Sequence, residues 1–76
     1  MIIILNWLIE IRQQKNATQQ ELANVAGITR QAYNHYETGR RTPKPDKAML
    51  IAERLNFPWE WFYKKDSIKF ESQNTS

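Results

Sequence analysis

Five polar side chains fall on one arc if residues 30–38 are wound as a helix: Arg30, Gln31, Asn34, His35 and Thr38. Ala32, Tyr33 and Tyr36 fall on the opposite arc, which faces inward. The polar arc suits the recognition of base edges. An arginine guanidinium matches guanine O6 and N7, and a glutamine or asparagine amide matches adenine N6 and N7, both in bidentate geometry. Gln31 is therefore expected to read adenine. Arg30 is expected to read guanine or clamp a phosphate, and Asn34 and His35 to add base or phosphate contacts further along. Thr38 is expected to meet a phosphate.

Other chemistries find little support. His35 is the one histidine and there is no cysteine, so no cluster has the spacing of metal ligands. Gly27 and Gly39 are the only glycines, which excludes a glycine-rich phosphate loop. No nucleophile elbow is present. Glu60 and Asp66 are not singled out as an acid/base pair. An enzyme is not expected, and no cofactor is implied.

The polar arc needs a scaffold. Thr18 can cap a helix start, with Glu21 three residues on to complete a capping box. Leu22, Ala23, Val25 and Ala26 then gather on one side, and Gly27 supplies a residue that tolerates positive φ at the helix end. Ile28 can plug the angle between two helices, and Thr29 can cap a second helix over Arg30–Thr38 that stops at Gly39. Gln19 and Thr29, at helix starts, are expected to meet phosphates through side chains and first-turn amides. A short polar helix held by an earlier one through a glycine turn has the form of a helix-turn-helix.

The run IRQQKNATQQELANVAGITRQAYNHYETGRRTPKPDKAMLIAERLNF, residues 11–57, resembles the phage Cro- and repressor-like helix-turn-helix family, also called the xenobiotic response element family. Its marks are TQQELA, AGIT, YETG and a helix starting after a proline. The resemblance implies an all-α bundle of about five short helices, a homodimer in many members, and a role in transcriptional repression. It also implies a structural ion pair between Arg12 and Glu37. Two positions depart from the pattern. Asn56 stands where the family often has glycine, and Lys44 where a Ser or Thr cap is common. Asparagine tolerates the left-handed conformation, so the first departure is mild.

Around this centre, Ile4, Leu8 and Ile11 have the spacing of a first amphipathic helix ending near Lys15 or Asn16, with Trp7 as an aromatic at the core edge. Ile2, Ile3 and Leu5 exceed one stripe and are expected to cover the C-terminal helix or a partner chain. MIIILNWLI is too short to span a membrane, is interrupted by Asn6, and lacks the flanks of a signal peptide. After Gly39, the loop RRTPKP places Arg40, Arg41 and Lys44 beside the polar helix, where basic groups suit phosphates. Pro45 suits the first turn of the next helix, whose apolar face is Ala48, Met49, Ile51, Ala52 and Leu55. In Phe57–Tyr63, a short helix would pair Trp59 with Phe62 and turn Phe57 into the core. Trp61 and Tyr63 would then face away and supply a homodimer interface.

At 76 residues and without cysteine, the chain is expected to form one small domain over residues 1–65, with a disordered tail over 66–76 in which Ser67–Glu71 could add a short strand. The absence of cysteine fits a reducing cytoplasm. The net charge of +3 is unevenly placed. Arg30 to Lys65 holds eight basic side chains against four acidic ones, whereas the first 29 residues balance. This is a modest footprint for double-stranded DNA. The expected function is a transcriptional repressor that binds a pseudo-palindromic operator as a homodimer. The alternative is a protein-interaction module, such as an antitoxin or the target of an anti-repressor.

Overall fold

The computed structural model describes residues 4–63. Four α-helices follow in order: α1 (Asn6–Gln14), α2 (Gln19–Ala26), α3 (Arg30–Glu37) and α4 (Pro45–Leu55). A 3-10 turn, Trp59–Tyr63, stands where a fifth α-helix was expected. The fold is all-helical among the described residues, as the sequence implied. Ile2, Ile3, the tail and the suggested strand at Ser67–Glu71 lie outside them.

Local chemistry sets most boundaries. The Thr18 hydroxyl accepts from the Glu21 N–H at 3.0 Å and starts α2, and the Thr29 hydroxyl accepts from the Ala32 N–H at 3.0 Å and starts α3. Gly27 ends α2 at φ +70°, and Asn56 ends α4 at φ +64°, taking the left-handed conformation in place of glycine. The Glu21 carboxylate does not point back to complete the capping box. It accepts instead from Arg54 Nε at 3.1 Å and from the same guanidinium's terminal nitrogen, tying α2 to α4.

The core is built from Trp7, Leu8, Leu22, Ala23, Tyr33, Ile51 and Leu55. On α4 the buried positions are Ala48, Ile51, Ala52 and Leu55, a single stripe at i, i+3, i+4 and i+7. Met49 was expected on that face but lies off the stripe and is exposed, as is Leu50. Ile4 precedes α1 and is 51% exposed, so the first helix buries Trp7 and Leu8 rather than an Ile4–Leu8–Ile11 stripe.

Trp7 occupies the centre of the core, not its edge. Its ring meets Phe57 at 5.2 Å, Phe62 at 5.6 Å and Trp61 at 5.7 Å, each in an edge-on geometry. Such pairs add about 0.5–1.5 kcal/mol each beyond area burial. The expected orientation of Trp61 is corrected by the same contacts. Its ring turns inward and stacks on Phe57 at 5.8 Å, because the buried Trp7 ring offers a surface that aromatic residues after α4 must cover. Trp59 pairs with Tyr63 at 5.8 Å rather than with Phe62.

Candidate nucleic-acid interface

Two packed elements hold α3 in place. Its inner side sets Tyr33 and Tyr36 into the core with rings 6.1 Å apart. Its last residue, Glu37, is buried and anchored from two directions. The Leu5 N–H donates to the Glu37 carbonyl at 2.8 Å, and Arg12 Nε donates to the Glu37 carboxylate at 2.6 Å. The Arg12–Glu37 pair implied by the family resemblance is thus present. Burial works against the Arg12 charge, and the neighbouring carboxylate more than offsets it, so the guanidinium is held above its ordinary pKa. Arg12 also donates to the Ala17 carbonyl at 3.0 Å, fixing the turn between α1 and α2.

The outward arc of α3 carries the expected readers. Arg30 and Gln31 are exposed, and Asn34 and His35 are half-buried. Gln19, Arg30, Gln31 and Asn34 line one shallow surface hollow, so the start of α2 and the polar arc of α3 share a face. Gln19 is more engaged than its sequence position indicated. Its Nε2 donates to Asn34 Oδ1 at 3.0 Å and to Glu37 Oε1 at 2.8 Å. Both amide hydrogens are spent inside the protein, and the Glu21 N–H is taken by the Thr18 cap, so the first-turn backbone donors of α2 not used in these bonds are the Gln19 and Gln20 N–H groups. No residue spacing announces this junction, because it depends on the angle at which α2 crosses α3.

The two threonines differ. The Thr29 oxygen accepts the cap bond, and its hydroxyl hydrogen remains available to an anion. The Thr38 hydroxyl donates back to the Asn34 carbonyl at 3.1 Å, and its N–H is also bonded there at 3.0 Å, so in this rotamer it offers a phosphate no donor.

The basic loop is fixed to the same helix. The His35 carbonyl accepts the Arg40 N–H at 2.9 Å and the Arg41 N–H at 3.2 Å. Arg40, Arg41 and Lys44 are exposed, and Pro43 between them is buried. The Tyr63 hydroxyl donates to the Pro43 carbonyl at 2.7 Å. Sequence reasoning gave Tyr63 only an interface role, and its bond to the basic loop was not anticipated. Lys47 is likewise structural: its Nζ caps α2 through the Ala26 carbonyl at 2.9 Å. Among the described residues, no group of three or more acidic, histidine or cysteine side chains is placed to hold a metal ion, and no helix is long and apolar enough to cross a membrane.

The family model described as helix-turn-helix matches residues 8–62. The chain belongs to the Cro/repressor-like helix-turn-helix family. Within this family of DNA-binding regulators, two relatives come from Bacillus subtilis (strain 168). The "Uncharacterized HTH-type transcriptional regulator YqaF" is 39% identical over 57 residues, 75% of this chain and 75% of that protein. The "Uncharacterized HTH-type transcriptional regulator YqaE" is 38% identical over 60 residues, 79% of this chain and 52% of that protein, so the match spans about half of that relative. No solved structure matches the chain significantly.

Proposed function

We propose that this chain is a sequence-specific transcriptional repressor that works in the cytoplasm and binds a pseudo-palindromic operator as a homodimer, with α3 in the major groove. The observation that carries this reading is the continuity of one polar surface. Arg30, Gln31, Asn34 and His35 project from α3, and the exposed Arg40, Arg41 and Lys44 follow on a loop bonded to the His35 carbonyl. Gln31 is the adenine reader, and Arg30 reads guanine or grips a phosphate. Thr29, the α2 N-terminus and the basic loop set the register on the backbone.

In a homodimer, two α3 helices would reach half-sites about 34 Å apart. Tyr63 and the outer surface of Trp61 are the proposed interface residues. Tyr63 is 42% exposed, whereas Trp61 already gives one ring face to its own core. Sedimentation at micromolar concentration, with and without operator, tests the dimer. Two chains per operator are expected, and a single chain per operator contradicts the assignment.

A second reading, a protein-interaction module of the antitoxin or anti-repressor-target kind, draws on the adjacent exposed Met49 and Leu50 of α4. Co-purification of a distinct small protein whose binding is abolished by Met49→Ser would favour it.

A further inference from the structure

We propose that Tyr63 is a positioning residue for the basic loop: its hydroxyl holds the Pro43 carbonyl and so presents Arg41 and Lys44 to the DNA backbone in a fixed arrangement. This rests on the reading that α3 enters the major groove with the loop beside it.

The loop has little with which to hold itself. Pro43 and Pro45 carry no N–H, so residues 40–45 lack two of the backbone donors that could close a turn. The helices fix its ends. The His35 carbonyl takes the Arg40 and Arg41 N–H groups at the end of α3, and the Lys44 carbonyl accepts the Ala48 N–H at 2.8 Å in the first turn of α4. Thr42 and Pro43 lie between. Pro43 is buried, although Arg41, Thr42 and Lys44 around it are exposed. The Tyr63 hydroxyl donates to its carbonyl at 2.7 Å and ties the middle of the loop to the domain. The pyrrolidine ring already locks φ of Pro43. Holding its carbonyl adds a constraint on ψ, and with it on the direction in which the chain leaves towards Lys44.

The donor is itself held. The Tyr63 ring packs edge-on against Trp59 at 5.8 Å, and Trp59 packs against the core. A phenylalanine would pack the same ring, so the hydroxyl serves the loop and not the core. A loop ordered before binding spares the complex the entropy of ordering it, which is how a residue that touches no phosphate strengthens the grip on one. The gain is bounded by the net worth of one hydrogen bond, about three- to ten-fold in affinity. It is sequence-independent, because backbone contacts carry no base information.

The test is a double-mutant cycle on affinity for a selected operator. Tyr63→Phe keeps the ring and removes only the hydroxyl, and circular dichroism melting confirms that each variant is folded. Tyr63→Phe is expected to weaken the operator and its base variants alike, by about three- to ten-fold. In a background of Arg41→Ala and Lys44→Ala the same substitution should cost less than about two-fold, because the hydroxyl acts only through those cations. A loss below about two-fold in the wild-type background, or equal losses in the two backgrounds, would each overturn the proposal; equal losses would show the hydroxyl meeting DNA directly. A changed base preference would overturn it as well. NMR relaxation of the free protein separates this failure from failure of the DNA reading. The Thr42 and Lys44 amides are expected to be as ordered as those of α3 and to gain ps–ns motion in Tyr63→Phe, and unchanged order in the variant overturns the positioning role. If order falls in the variant but the wild type binds no duplex, the DNA reading falls, and the presentation of Arg41 and Lys44 to phosphates falls with it.

Discussion

Arg12 Nε lies 2.6 Å from Glu37 Oε2, joining the last turn of α1 to the last residue of α3 across 25 positions of sequence. The Glu37 side chain is 3% exposed and Arg12 14%, so the pair is sheltered from solvent screening. Arg12→Ala would leave a buried carboxylate without its cation and break the bond to Ala17. The expected loss is about 3–5 kcal/mol, a large share of the roughly 5–15 kcal/mol typical of whole domains. Urea unfolding at pH 7 measures it. A loss below about 1 kcal/mol, the value of an exposed pair, would show that Glu37 is not held in the way described.

The turn between α2 and α3 makes a backbone demand rather than a steric one. Gly27 has φ +70°, and a Cβ built there would meet its nearest neighbour, Lys47 Nζ, at 3.9 Å, an ordinary van der Waals distance. Gly27→Ala should therefore cost about 1–2 kcal/mol through left-handed strain alone. Gly27→Asn should cost less, since Asn16 and Asn56 already adopt positive φ in this chain. Thermal melts of the two variants give the comparison, and equal costs would point to crowding instead.

Alkaline pH should unfold the domain through its buried phenols. Burial pushes the Tyr33 phenol up from its ordinary value, the Glu37 carboxylate pushes it further, and Arg12 opposes both. Tyr36 is raised as well, chiefly by burial. A raised acid holds its proton in the folded state after the unfolded chain has lost it. Stability from this source is complete below the unfolded value of about 10 and falls as pH rises above it. The Tyr33 hydroxyl is buried without a hydrogen-bond partner, so Tyr33→Phe should change stability by less than about 1 kcal/mol at pH 7 and flatten the alkaline loss. Denaturation curves between pH 8 and 11 for both proteins check the sign.

Base contacts and phosphate contacts should separate by mutation. Gln31→Ala is expected to cost about 1–3 kcal/mol and to relax preference at one base pair. Arg41→Ala, on the loop hung from the His35 carbonyl, should weaken all sequences alike and reduce the salt slope by about one. Affinities on operator variants at several salt concentrations distinguish the two. A change of preferred base in Arg41→Ala would reverse the assignment.

What the sequence makes legible here is local chemistry. Thr18, Gly27, Thr29 and Asn56 declare the ends of helices because a cap or a positive φ involves only a few neighbouring residues. The two-faced character of α3 is equally local, since periodicity alone puts Tyr33 and Tyr36 opposite Gln31 and Asn34. The errors lie where one element meets another. Trp7 was placed at the core edge and Trp61 outside it, because their burial depends on how the 3-10 turn folds back over α1. Gln19 looked like a phosphate contact, and only the crossing of α2 over α3 shows that its amide is spent on Asn34 and Glu37. Tyr63 reaches Pro43 across 20 residues, a contact that composition and spacing do not encode.

In the proposed function, α3 reads a specific duplex as part of a symmetric pair. Selection of bound duplexes from a random DNA pool, repeated at two salt concentrations, tests it most directly. An enriched pseudo-palindrome with half-sites one helical turn apart, about 34 Å, and an affinity that falls with salt are expected. Binding that falls with salt but enriches no sequence would contradict it and move the protein-interaction reading ahead.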